Sequence, residues 1–264
     1  MPTLTQHAPG TFCWPELATT DQAAAKKFYG GLFGWRFNDS PLPPEMGGAY
    51  TMFQSKSKDC AALFTLDAKM RQQGVPPHWG AYISVSSADD VAQHAASLGG
   101  TVLMQPSDIM GHGRMAVIAD PTGAKFSVWQ AMRHIGAGIL DEPGALCWTE
   151  LLTHDTDRAG SFYKALIGWG AKDMSMMPGS TYTVFTRSDG TNAGGLMKLP
   201  ESLKGVPPHW LSYFQVDDVK KTTSQVTSLG GKIQMPPRSV PNVGQFAVYA
   251  DPQGAVFAVL QPQA

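Results

Sequence analysis

The sequence predicts an α+β fold of four βαβββ modules, arranged as two tandem domains with mixed sheets. Three observations predict it. First, landmark motifs recur in one order at a nearly constant offset. Trp14-Pro15-Glu16-Leu17 returns as Trp148-Thr149-Glu150-Leu151, Phe28-Tyr29 as Phe162-Tyr163, and Pro76-Pro77-His78-Trp79 as Pro207-Pro208-His209-Trp210. Leu98-Gly99-Gly100 returns as Leu229-Gly230-Gly231, and Asp120-Pro121-Thr122-Gly123-Ala124 as Asp251-Pro252-Gln253-Gly254-Ala255. An offset of roughly 130 residues marks a duplicated unit of ordinary domain size. Second, apolar spacing inside each repeat passes from period two to helical and back, twice. Third, the Asp-Pro-x-Gly tetrads have hairpin-turn chemistry, with Pro fixing φ and Gly free to take φ > 0.

Taken in order, residues 11–18 read as a strand, which Pro15 pushes toward a sheet edge or a distorted pairing because it cannot donate to a ladder. Asp21 stands where an N-cap belongs, Ala23, Ala24, Ala25, Phe28, Tyr29 and Leu32 supply a helical apolar face, and Gly34 stops the helix. Trp35–Phe37, Ala49–Gln54 and Cys60–Leu66 read as three short strands. The pattern then restarts. Gly80–Val85 alternates as a strand, and Ser87 opens a helix that ends at Gly99-Gly100. Strands follow at Thr101–Met104, Met115–Ala119 and Lys125–Gln130. The domains are predicted at residues 8–131 and 143–262, as separate eight-stranded units, with a glycine-containing and therefore flexible linker at 132–142.

Composition excludes several classes. A formal net charge of −1, without runs of like charge, leaves no electrostatic footprint for nucleic acid or an anionic membrane. No segment approaches the ~18 continuous apolar residues of a membrane span, and residues 1–7 lack the charged and apolar regions of a secretory signal. The three cysteines cannot build a disulfide framework, and Cys13 and Cys147, at equivalent strand positions, read as small core hydrophobes. A cytoplasmic protein is expected. Gly47-Gly48 and Gly194-Gly195 lack the Lys and helix of a phosphate loop, and no Ser sits in a nucleophile elbow. Met174-Ser175-Met176-Met177, unmatched in the first repeat, reads as a loop packed on its neighbour, and His154 as a surface residue.

A strand, an Asp, a helix with Phe-Tyr and a terminal Gly-Trp, then Asp-Pro-x-Gly before a last strand resembles the vicinal oxygen chelate superfamily. That group includes glyoxalase I, extradiol dioxygenases, fosfomycin-resistance proteins and bleomycin-binding proteins. The likeness covers nearly the whole chain and looks closest to two-domain, glyoxalase-like proteins. It implies that paired modules curl their sheets around a shared cavity, two cavities in all. In metal-dependent members three side chains hold one divalent ion that acts as a Lewis acid on substrate oxygens. Carried over, the ligand positions fall at Trp14, Gly80 and Ser127 in the first repeat and at Trp148, Leu211 and Ala258 in the second. None is a plausible ligand, so no metal cofactor is expected. A displaced site from Glu16 and His78 would need a third donor. His112 could serve in the first repeat, but its counterpart lies near Val243.

Strand parity puts Glu16 beside Trp14 and Glu150 beside Trp148 on one face, making the two carboxylates candidate catalytic bases. The structural alternative is an acid held by backbone N–H groups or by an arginine such as Arg114. Trp14, Tyr82, Ser127 and Trp129, and likewise Trp148 and Tyr213, fall on the same parity and are candidate substrate-binding residues for a flat or apolar small molecule. The bland alternative is that these rings fill a core. His78 and His209 could face inward with them, or the Pro-Pro-His-Trp turn could hold each imidazole on a backbone group. Three functions stay open: a small-molecule binder without catalytic metal; an enzyme of glyoxalase, dioxygenase or hydroxylase type; and a structural or interaction protein. A homodimer is compatible with all three.

Overall fold

The computed structural model describes residues 4–42, 48–177 and 180–263, without the side chains of Ser175–Met177 and Ser180. The first repeat runs β1 (Phe12–Thr19), α1 (Gln22–Phe33), β2 (Arg36–Pro41), β3 (Ala49–Ser55), β4 (Lys58–Thr65), α2 (Ala68–Gln72), β5 (His78–Ser84), α3 (Ala88–Ser97), β6 (Thr101–Ile109), β7 (Gly113–Ala119) and β8 (Lys125–Ala131). The second runs β9 (Leu146–Thr153), α4 (Thr156–Ile167), β10 (Gly170–Met177), β11 (Ser180–Thr186), β12 (Asn192–Lys198), β13 (His209–Gln215), α5 (Val219–Ser228), β14 (Lys232–Val240), β15 (Gly244–Ala250) and β16 (Val256–Pro262). The βαβββ order therefore occurs four times, as the sequence predicts. α2, a single short turn capped by Asp67, is an addition that no apolar periodicity announces.

Each repeat supplies one open, mixed, eight-stranded sheet, in the orders β2-β3-β4-β1-β5-β8-β7-β6 and β10-β11-β12-β9-β13-β16-β15-β14. The first strand of each module runs parallel to its last, as in β1 with β4 and β5 with β8. This decides between the two readings of Pro15, against the sheet edge and for the distorted pairing. β1 is central, not an edge. Its pairing with β4 begins at Glu16, while Thr11 and Gly10 at its start bond Ser84, so Pro15 lies between the two ladders, where a missing donor does least harm. A correction concerns Met174, which lies in strand β10 opposite Tyr182. The side chains of Met176 and Met177, and residue Gly47, lie outside the described set.

The compact units combine both repeats. One comprises residues 1–14, 81–136 and 149–211, the other 15–80, 137–148 and 212–264. In the second unit α1 begins as the sequence requires: the Asp21 carboxylate accepts from the Ala24 N–H at 3.0 Å, and Gly34, at φ +69°, closes the helix. Its buried face (Ala25, Phe28, Tyr29, Leu32) packs with Leu17, Phe53 and Leu63 of the first repeat and with Phe214, Val226 and Phe257 of the second. Phe28 fits because position 231 is glycine; a Cβ there would lie 2.9 Å from the ring.

At the centre of this packing is a buried polar chain. Tyr29 donates to Asp251 at 3.1 Å and accepts from the Trp79 indole N–H at 2.9 Å. The other Asp251 oxygen accepts the Gln253 and Ala255 N–H groups of its own turn. The first unit repeats the chain with Tyr163, Asp120 and Trp210 at 3.1 and 2.9 Å. The indoles at the helix ends behave alike: Trp35 donates to the Gly144 carbonyl at 2.7 Å and Trp169 to that of Gly10 at 3.0 Å. Burial pushes the Tyr29 and Tyr163 hydroxyls well above the ordinary tyrosine range and raises the Asp251 carboxyl. Segment 132–142 is packed rather than loose, with Ala137 and Ile139 buried and the Gly138 N–H on the Asp59 carbonyl at 2.7 Å.

Candidate ligand-binding site

In the first unit the predicted ring positions come together. Tyr82 pairs across β5 and β8 with Ser127, and Ser84 with Trp129, so Tyr82, Ser127 and Trp129 are neighbours in register. The Tyr82 and Trp129 rings meet at 6.5 Å. His134 joins them, edge-on to Trp14 at 4.7 Å and 6.0 Å from Trp129, whose indole N–H donates to the His134 carbonyl at 2.9 Å. Trp14, Tyr82, Ser127 and Trp129 are only 4–7 % exposed. Gly113 makes room for this wall, since any Cβ at that position would collide with the Trp129 ring. Ile83 and Val128, on the opposite parity, are fully buried.

The second unit carries a sparser wall. Tyr213 pairs with Ala258 and meets Phe246 at 6.2 Å, Trp148 is half-buried, and Leu260 stands where Trp129 stands in the other copy. The same unit holds Glu16. Its carboxylate accepts a 2.6 Å hydrogen bond from Tyr50, on the sheet face opposite the Leu17, Phe53 and Leu63 layer that packs against α1. The Arg114 guanidinium is held by Asp89 and Asp108. Glu150, in the first unit, is 7 % exposed and pairs in register with Gly195, which pairs with Val184, two residues from Tyr182. Tyr50 stands in the same relation to Glu16, through Ala62 and Met52. The two tyrosines escaped the sequence reading, although the signal existed: Tyr50-Thr51-Met52-Phe53 returns as Tyr182-Thr183-Val184-Phe185. His134 and Phe246 carried no such mark.

The histidine motifs serve turns. His78 is exposed, and its Nδ1 donates to the Pro76 carbonyl at 2.8 Å; His209 Nδ1 donates to Pro207 at 2.9 Å. Burial lowers the His209 pKa, so this imidazole favours its neutral form. His112 is exposed, and His154 bonds the Val206 carbonyl at the surface. Desolvation pushes the Cys13 thiol up to about 12 and raises Cys60 and Cys147 as well, which suits core packing and not nucleophilic work. The positions that the vicinal-oxygen-chelate resemblance assigns to metal ligands hold Trp14, Gly80, Ser127, Trp148, Leu211 and Ala258. Among the described residues no group of three or more His, Cys, Asp or Glu is placed to hold an ion. This donor set does not fit a divalent metal. Nor is any helix among the described residues long and apolar enough to cross a membrane.

The comparisons agree with this architecture. The family model for the "Glyoxalase/Bleomycin resistance protein/Dioxygenase superfamily" matches twice, at residues 11–128 and 131–259. "Putative glyoxylase CFP32" of Mycobacterium tuberculosis is 43% identical over 262 residues, covering 99% of this chain and 98% of that protein. "Anthracycline biosynthesis protein DauV" of Streptomyces sp. (strain C5) is 36% identical over 268 residues, covering 98% and 95%. Among solved structures, the Mn(II)-bound glyoxalase from Novosphingobium aromaticivorans superposes with a TM-score of 0.65 at 14% identity, over 97% of this chain and 83% of that one. A variant of homoprotocatechuate 2,3-dioxygenase from B. fuscum gives 0.64 at 16% identity, over 100% and 74%. With two family matches spanning its repeats and relatives aligned over nearly its full length, the chain belongs to the glyoxalase/bleomycin resistance protein/dioxygenase superfamily, in a tandem two-domain form.

Proposed function

We propose that this protein binds a flat or apolar small organic molecule against the aromatic walls of its two units, without a catalytic metal, and that it does so in the cytoplasm. The carrying observation is substitution at the ligand positions: indoles at Trp14 and Trp148 and small or apolar groups elsewhere occupy sites that in metal-dependent relatives supply donors. Replacing an ion's ligands with rings trades Lewis-acid chemistry for apolar contact and stacking, which suits recognition of planar molecules. The relative named for anthracycline biosynthesis makes a polycyclic aromatic the first ligand class to try.

Titration with an anthracycline should quench tryptophan fluorescence saturably, and Trp14→Ala and Trp148→Ala should each weaken part of that binding. Lactoylglutathione lyase and extradiol dioxygenase assays should show no appreciable turnover, with or without added Mn, Fe, Zn or Ni. Metal-dependent turnover that chelator abolishes and Glu16→Gln removes would overturn the proposal. It would install the second reading, supported by the placement of Glu16 and Glu150 away from the helix-packed layer: an enzyme with a carboxylate base.

A further inference from the structure

We propose that strand β2 and helix α1 form a docking groove for an extended, acidic segment of a partner protein, which adds to the sheet as a further strand. This surface is separate from the aromatic walls and independent of the small-molecule reading. β2 is the outermost strand of its sheet, beyond β3, and all six of its residues are exposed. An edge strand presents backbone donors and acceptors to which another chain can pair, and proteins usually blunt such rows with bulges or proline. The other three edges are interrupted. Register breaks in β6 between Met104 and Ser107, which flank Pro106, and in β14 between Met235 and Arg238, which flank Pro236 and Pro237. It breaks in β10 between Ser175 and Met177. β2 instead pairs with β3 in unbroken register from Arg36 to Pro41, with its proline in last place.

Beside this edge lies an open cleft of about 580 Å³, lined by Gln22, Ala23, Lys26 and Lys27 of α1 and by Phe37 of β2. Phe37 is 46 % exposed, with Lys26 Nζ 5.0 Å from its ring centroid. Lys26 also donates to Asp39 at 2.7 Å, which ties the helix to the strand, while Lys27 is exposed. Side chains of an added strand alternate, so every second one points to the α1 side. There an apolar side chain covers Phe37 and an acidic one meets Lys27. Main-chain bonds supply affinity and the cleft supplies specificity. Charge selects the occupant. α1 contains no acidic residue, and Arg36 heads β2, so three cations stand against the one carboxylate of β2, Asp39. Pairing β2 with a second copy of itself would set these lysines against their own counterparts. In the second repeat Gly160, Ser161 and Ala171 replace Lys26, Lys27 and Phe37, so the fold itself does not require the groove.

The test uses three fluorescein-labelled peptides, titrated into the full chain by fluorescence anisotropy. One repeats Thr-Leu-Thr-Glu, the second replaces its Glu by Lys, and the third is the acidic peptide with every backbone nitrogen methylated. The acidic peptide should bind saturably and about tenfold or more tightly than either of the others, since one control reverses the charge and the other removes every ladder donor. Amide exchange in Arg36–Pro41 should slow when the acidic peptide is bound, and exchange in β10 should not. Lys27→Glu and Phe37→Asp should each weaken that binding about tenfold. The three peptides are compared on the wild type, so a misfolded variant does not shield the proposal. No binding of the acidic peptide, or equal binding of the methylated or lysine form, overturns it. A dimer whose Arg36–Pro41 amides are already protected without peptide also overturns it, in favour of a second copy at this edge.

Discussion

Tyr29 and Tyr163 each place a hydroxyl in a core where water cannot reach, and each is satisfied from both sides. Removing such a hydroxyl strands an indole N–H and a carboxylate oxygen, so Tyr29→Phe should cost about 1–3 kcal/mol in urea unfolding. Ligand titrations should not move. Asp251 adds a pH signature. Burial raises its folded pKa above the unfolded value of ~3.9, so the folded state holds the proton more tightly. Its contribution is complete below that unfolded value and is lost as pH rises through the elevated folded one. Asp251→Asn should therefore destabilise more, relative to wild type, at pH 4 than at pH 7. Asp39, drawn below the ordinary range by Lys26, runs the other way, its contribution present above ~3.9 and lost as pH falls. The repeated Phe-Tyr and Asp-Pro-x-Gly motifs were legible in the sequence, but their pairing was not. Periodicity reports which face of an element is buried, not which distant element covers it.

At the scale of elements, local chemistry was a sound guide. Asp21, Ser87 and Gly34 cap the helices where the sequence puts caps, and Gly123, at φ +99°, makes the expected turn between β7 and β8. At Pro15 the edge reading fails and the distorted pairing holds, because β1 is central and its pairing with β4 begins only at Glu16. β1 bonds different partners before and after that residue, an arrangement no single-strand propensity encodes. The aromatic wall was half legible. Parity found Tyr82 and Trp129, whereas His134 comes from the connecting segment and depends on where that chain lies. Gly113 is the strand position on which the wall turns. Gly113→Ala should drive the Trp129 ring out of place, shift the tryptophan emission, and weaken ligand binding in the first unit. The loss of stability should be about 1–3 kcal/mol, typical of overpacking.

Over the whole molecule, the units of packing differ from the units of duplication. α1 of the first repeat is covered by α5 and β16 of the second, while Phe162 and Tyr163 of α4 meet Gly100, Asp120 and Phe126 of the first. A chain cut to residues 1–131 loses the partners of Phe28, Tyr29 and Trp35 together. Expressed alone, it should aggregate or self-associate instead of giving a folded monomer, whereas co-expression with residues 132–264 should restore cooperative unfolding. A well-folded, monomeric half by size-exclusion chromatography and circular dichroism would contradict this. The Tyr29–Asp251 bond, which joins residues 222 positions apart, also bears on inheritance. A change at one end must be answered near the other end of the gene, so the two halves cannot drift as independent copies. Recombination within 132–142 between diverged relatives would unite halves whose buried contacts were tuned to other partners, and the mismatch would fall on both cores at once.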